Sequence, residues 1–252
     1  MNERPFTLTI HHQLPRGQET SAVIGAKLVE SFDALSRIDP LFTDWKILDP
    51  VAMASLPLAA ARMRISTIVE NNIARDDYDQ PEPESGYSLV GLTSNPIPSR
   101  IVTLRATVGA VFDGEMSLRF GDVLQPTDPL IVTYRLFREA LLATSAIWQP
   151  LWAYVSAFTT DYWKGPIVPG APVIRRNPFF ITWIAYLSPA VTRGFVVEPD
   201  LRTESTPDGG LLMSATGERF DLANPEHLRR ACILAETMIA RTGVKIPNYI
   251  PD

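Results

Sequence analysis

Apolar and polar residues alternate from Phe6 to His12, with Phe6, Leu8 and Ile10 on one side and Thr7, Thr9 and His11 on the other. That period of two predicts a half-buried strand. From Ser21 to Ile38 the spacing changes: Ile24, Leu28, Ser31 or Phe32, Leu35 and Ile38 recur every three or four residues, and Asp39-Pro40 stops the pattern. Here the spacing predicts an amphipathic helix. A short aromatic connector, Leu41 to Lys46, leads to a second helical stretch in which Ser55 can cap, Pro57 sits near the first turn, and Leu58, Ile65, Ile68, Val69 and Ile73 form the buried stripe.

Strand-like runs follow at Tyr87 to Thr93, Ile101 to Val111 and Met116 to Phe120, punctuated by Asn95-Pro96, Pro98 and Asp113-Gly114, the pattern of an antiparallel meander. Asp128-Pro129 opens a helix with Leu130, Tyr134, Phe137, Leu141 and Ile147 at helical spacing, and Pro150 ends it. Leu151 to Phe158 reads as a strand, Asp161 to Pro178 as a loop, and Phe179 to Leu187, almost wholly apolar, as a strand covered on both faces. Phe195 to Glu198 and Leu211 to Thr216 flank a polar hairpin region that turns at Pro207 to Gly210. Asn224-Pro225-Glu226 starts a last helix with Leu228, Ala231, Leu234, Ala235 and Met238 inward, stopping at Gly243 before an extended tail, Ile246 to Asp252. Runs of strands between long helices predict an α+β fold, with mainly antiparallel sheet and helices packed on one face, rather than a doubly wound one. The expected organisation is one domain over residues 1–252. A long helix ending near proline before a Trp-bearing segment in each half (Ile38 to Trp45, Trp148 to Trp152) suggests two related lobes, 1–125 and 126–252, within it, but the similarity is too weak to make a repeat.

Composition narrows the function classes. The 252 residues are 46% hydrophobic and 20% charged, with 28 acids against 23 Lys and Arg and a net charge of -5. That balance disfavours general nucleic-acid binding, which needs a basic face, and fits a cationic partner. The single cysteine, Cys232, removes any internal disulfide framework or multi-Cys zinc site, and it falls on the apolar side of the last helix. The chain begins without the apolar stretch of a secretory leader and contains no run long enough for a membrane helix, so a cytoplasmic protein is expected.

Walker, GxGxxG, HExxH, CxxC and GxSxG motifs are all missing from the sequence. The adjacent His11 and His12 would face opposite sides of a strand as surface or half-buried polar residues, and His227, in the first turn of the last helix, is expected to be exposed. Asp44-Trp45-Lys46 has the acid-x-Lys spacing of a metal-dependent nuclease, but one such match is what chance supplies in a chain of this composition. No metal or cofactor is therefore expected. Trp45, Trp148, Trp152, Trp163 and Trp183 fit core packing first and a small-molecule cavity second.

The most unusual local feature is Arg75 to Ser85, which holds Asp76, Asp77, Asp79, Glu82 and Glu84 against one base. Its plainest reading is a solvated loop after a helix. The functional reading is a surface for a basic partner, with Tyr78 as an aromatic contact among the charges.

The segment Ala34 to Trp45 (Ala-Leu-Ser-Arg-Ile-Asp-Pro-Leu-Phe-Thr-Asp-Trp) resembles the immunity protein 52 family of bacterial polymorphic-toxin systems. Trp148 to Val155, Trp183 to Ser188, Gly209 to Met213 and the helix from Asn224-Pro225-Glu226-His227-Leu228 resemble later parts of the same family. The resemblance implies a cytoplasmic, non-enzymatic protein that binds and blocks a cognate toxin, commonly a restriction-endonuclease-like nuclease delivered by contact-dependent or type VI secretion. It carries over no catalytic residues, and the segment Asp76 to Glu84 matches no motif of the family. A hydrolase without a recognisable motif and a small-molecule-binding module are the alternatives from other classes.

Overall fold

The computed structural model describes residues 6–121, 125–158, 181–194 and 199–242. Ten strands form one antiparallel sheet: β1 (Thr7–Leu14), β2 (Trp45–Asp49), β3 (Ala54–Pro57), β4 (Tyr87–Thr93), β5 (Val102–Val108), β6 (Gly114–Phe120), β7 (Trp152–Phe158), β8 (Ile181–Leu187), β9 (Arg202–Ser205) and β10 (Leu211–Ser214). Their order across the sheet is β3-β2-β4-β5-β6-β1-β7-β8-β10-β9. Helices are α1 (Ser21–Ile38), α2 (Leu58–Ala61), α3 (Ile65–Asn71), α4 (Tyr134–Trp148), α5 (Pro189–Thr192) and α6 (Pro225–Thr242). The fold is α+β, as the periodicities predict.

Alternation decides what each face of the sheet carries. Leu8, Ile10, His12 and Leu14 of β1 point to the same side as Leu104 and Ala106 of β5 and Met116 and Leu118 of β6, and α1, α3 and α4 cover that side. α1 begins where Thr20 Oγ1 accepts the Val23 amide, and α4 where Thr133 Oγ1 accepts that of Leu136. The two helices pack together and are tied by Trp148, whose indole N–H donates to Ser31 Oγ at 2.8 Å. Phe42, Phe120, Phe137, Trp183 and Phe220 follow one another through the core with ring centroids 4.5 to 5.9 Å apart.

β8 is buried along its whole length because both of its faces are covered. Its register against β7 steps from Val155–Ile184 to Ser156–Thr182, leaving Trp183 as the extra residue of a bulge. The bulge reverses the alternation, so Ile181 and Trp183 join Ile184 and Tyr186 in the core beneath α4. Ala185 and Leu187 point the other way and meet Met213, Leu201 and the α6 residues Leu234 and Met238 in a second cluster. α6 therefore lies on the reverse face of the sheet, over β8 and β10, whereas α1, α3 and α4 share the front.

Two local expectations are corrected. The connector at Trp45–Lys46 begins strand β2, and Ser55 lies in edge strand β3 rather than capping a helix. The helical stretch starts only at Leu58 and is interrupted by a 3-10 turn at Arg62–Arg64, so α2 and α3 are short. The polar hairpin does form, between β9 and β10. The loop Asp161 to Pro178, the strand Phe195 to Glu198, the stop at Gly243 and the tail Ile246 to Asp252 lie outside the described residues.

Candidate functional site

After α3 the chain runs outward and back as a narrow ribbon beside the start of β4. Asn72 O accepts the Ser88 amide (2.9 Å), the Ala74 amide donates to Gly86 O (2.8 Å), and the Glu82 amide donates to Ala74 O (2.8 Å). At the tip, Asp76 Oδ1 accepts the amides of Tyr78 and Gln80, each at 2.9 Å, which is the Asx-type closure expected of an aspartate at a turn. Arg75 Nη1 donates to Asp79 O at 2.7 Å and lies beside the Asp79 carboxylate, while Ser85 Oγ donates to Glu82 Oε2 at 2.5 Å.

The five acids therefore divide by role. Asp76 folds the tip, and Asp79 and Glu82 each have a local partner. Among the described residues, the side chains of Asp77 and Glu84 make no hydrogen bond or ion pair and are exposed, as is Tyr78 at 84%. The segment is exposed from Arg75 to Glu84, in keeping with a solvated loop, and its backbone is closed into a ribbon by its own hydrogen bonds.

His11 is half-buried, as expected, whereas His12 and His227 differ from their expected settings. His11 and His12 do face opposite sides of β1, but His12 is fully buried, with Nε2 2.8 Å from Thr144 Oγ1, because its side of the strand is the core side. Burial lowers its pKa to about 3. On the reverse face His11 stacks on Tyr154 and bonds Ser156 Oγ at 3.0 Å, and burial lowers its pKa to about 4. His227 is half-buried rather than exposed: its ring stacks on Phe220, and Nδ1 accepts the Asp221 amide at 3.3 Å.

Neither the tryptophans nor the cysteine assembles a site. Trp45, Trp148 and Trp183 are core residues, Trp152 is half-buried on the reverse face, and Trp163 lies outside the described residues. Cys232 is buried in α6, and desolvation, aided by the nearby charge of Glu236, pushes its thiol up to about 11, the direction that suppresses nucleophilicity. Asp44 is exposed at the start of β2, separated from the half-buried Lys46 on the reverse face by the inward Trp45. Among the described residues no group of three His, Cys, Asp or Glu could hold a metal ion.

A cleft of about 590 Å³ lies between the end of α4, α5 and the β9–β10 turn, and Tyr186 and Asp208 line it. Tyr186 Oη and Thr206 Oγ1 both donate to the Asp208 carboxylate at 2.5 Å, and the Gly210 amide donates to it at 3.2 Å. Desolvation works against the Asp208 charge, but these donors outweigh it and hold the carboxyl below its usual range. Burial and that same partner raise the Tyr186 phenol above its usual range. The pair thus rests as a protonated donor on a committed carboxylate, which pins the hairpin turn.

No curated protein matches the chain. Among solved structures, the Pseudomonas aeruginosa T6SS protein PA0821 shares the fold with a TM-score of 0.55 and 9% sequence identity, over 97% of this chain and 74% of that one. The family model described as immunity protein 52 matches residues 120–246, from the end of β6 through α6, while the acidic ribbon lies before the matched stretch. With half of its length matched, the chain belongs to the immunity protein 52 family.

Proposed function

We propose that this immunity protein neutralises its cognate antibacterial toxin by direct binding, and that the toxin is a nuclease of the restriction-endonuclease type whose active site or substrate groove it covers. The observation that carries the nuclease reading is the acidic ribbon, with Asp77, Tyr78 and Glu84 held outward on a hydrogen-bonded support. A cleft that binds phosphates is basic, so a preformed anionic projection complements it in charge, and an aromatic among the charges adds contact area. Asp76, Asp79 and Glu82 support this surface by shaping the ribbon and extending its charge. On this reading the protein acts in the cytoplasm, where such a toxin meets nucleic acid. Among the described residues no helix is long and apolar enough to cross a membrane.

The test is survival of bacteria expressing the product of the adjacent upstream reading frame, with and without this chain, followed by co-purification. Protection together with a 1:1 complex is the expected result. An Asp77→Asn/Asp79→Asn/Glu82→Gln/Glu84→Gln chain that protects at wild-type levels, in a complex that leaves the toxin's cleft open, would remove the ribbon from the interface. Toxicity unrelieved by the wild-type chain would send the reading back to a ligand-binding module or a hydrolase.

A further inference from the structure

Among the described residues six of the ten large exposed hydrophobic side chains, Val51, Met53, Met63, Tyr78, Val111 and Phe112, belong to the β2–β3 turn, the 3-10 turn at Arg62–Arg64, the ribbon and the β5–β6 turn, whereas Ile97 and Leu130 lie toward the opposite end of the sheet. β2 leaves β4 at Gly91, and the ribbon segment Asn72–Ala74 takes over the same edge of β4, so the β2–β3 turn (Pro50–Met53) lies next to the base of the ribbon. On the other side, the β5–β6 turn is joined to the ribbon by the Val111 amide, which donates to Glu84 O at 2.9 Å.

Each flank is an apolar pad. The first carries Val51, Met53 and Met63, which are 73%, 87% and 94% exposed. Met63 belongs to the 3-10 turn whose Arg64 reaches the buried Asp49, and the Asp49 carboxylate also accepts the Val51 and Ala52 amides at 3.1 and 3.2 Å. The second carries Val111 and Phe112, each about half exposed. The two pads bracket the acidic ribbon.

Met53 adopts φ +49°, a left-handed backbone position where glycine or asparagine would be easier. Local folding alone does not favour a methionine there, nor does burial, since its side chain stands in solvent. Methionine and aromatics are enriched at protein interfaces, and methionine's unbranched chain adapts to irregular sockets.

We infer that this end of the sheet is a composite docking surface, an acidic ribbon between two apolar pads, for a toxin face that is basic and carries apolar sockets on both sides of its basic centre. The inference rests on the toxin-binding reading above and adds which residues hold the complex together. Charge decides the occupant. Arg75 is occupied by Asp79 and Arg16 by Asp113, so the bases at this end are spent within the chain while Asp77 and Glu84 remain unpaired. The reverse face of the sheet, by contrast, carries Lys46, Arg105 and Arg119 without ion pairs among the described residues, against the one acid Glu115 on β6, and that excess of bases would disfavour a basic partner.

The test compares affinities of full-length variants for the product of the adjacent reading frame, released from the co-purified complex in guanidinium and refolded. Met53→Gly combined with Met63→Ser is expected to weaken binding at least tenfold. Its melting temperature should not fall, because glycine relieves the positive φ and neither methionine is buried. Phe112→Ser should weaken binding in the same direction, and Arg105→Ala/Arg119→Ala on the reverse face should leave it within threefold. Wild-type binding with undiminished affinity in both pad variants overturns the inference and leaves the toxin reading intact. Failure of the wild-type chain to bind at all overturns the toxin reading, and this inference with it.

Discussion

At the scale of single residues, His12 shows how one position on a strand sets a solution property. Its neighbours in the alternation are Ile10 and Leu14, so the ring is buried under α4, where Thr144 supplies its partner. Folding holds it neutral by desolvation, with a pKa of about 3 against 6.5 in the unfolded chain. Above pH 6.5 both states are neutral and His12 contributes no pH dependence. Below it the unfolded chain binds a proton that the folded chain refuses, so stability falls with pH by about 1.4 kcal/mol per unit until the folded pKa is reached. His11, lowered to about 4, adds a loss of the same sign over the upper part of that window. Urea unfolding at pH 7.5 and pH 5.0 should show the drop, and a His12→Gln chain should lose about 2 kcal/mol less than wild type over that interval. Equal losses in the two chains would mean that the buried ring is already protonated or hydrated.

At the scale of elements, the acidic ribbon depends on the way it rejoins the sheet. Gly86 has φ +75° and ψ -147°, a region essentially reserved for glycine, and a Cβ there would stand 2.4 Å from Val108 O and 2.8 Å from the Ala110 amide nitrogen. Both neighbours are backbone and cannot swing aside. Gly86→Ala should therefore cost about 1–3 kcal/mol and release the ribbon, read as faster amide exchange at Ala74, Asp76 and Glu82 and weaker toxin binding. Exchange rates equal to wild type would show that the ribbon is held from its tip alone.

The same elements show what the sequence discloses. α1, β4 and the body of α4 were legible because one side of each is buried and the other wet, which imposes a clear period. β2 and β3 were not: Leu48 breaks the alternation begun by Trp45, Lys46 and Ile47, and Ser55-Leu56-Pro57 imitates a helix start. β9 is polar throughout and is placed by pairing with β10 and by the ion pair of Glu204 with Arg138 on α4, a long-range contact with no local signal. The bulge at Trp183 is hidden because both faces of β8 are apolar. At the candidate site the acids were legible as composition. Their separation into shape-forming Asp76 and outward Asp77 and Glu84, and the placing of the β2–β3 turn along the edge of β4 that the ribbon also uses, depend on strand pairing and could not be read from spacing. The one local hint was an apolar Val-Ala-Met in a turn.

At the scale of the whole molecule, the net charge of -5 is distributed unevenly: the ribbon end is acidic and the reverse face carries unpaired bases. Such a distribution orients an approaching basic partner before contact, and it acts on the association rate more than on the lifetime of the complex. The apolar pads act later, once water is excluded, and govern dissociation. The two contributions are therefore separable by kinetics. Raising salt from 50 to 500 mM should slow association of the wild-type chain with its toxin about tenfold or more, since the screening length shrinks from roughly 14 Å to about 4 Å. Asp77→Asn/Glu84→Gln, which removes the two unpaired carboxylates without touching the hydrogen bonds that shape the ribbon, should slow association severalfold at low salt and flatten that dependence, with the dissociation rate nearly unchanged. The methionine pad variant should do the reverse, speeding dissociation while keeping the salt dependence. An association rate indifferent to salt in the wild-type chain would mean that the acidic ribbon faces away from the partner during approach, and the complementarity argued from its charge would fail with it.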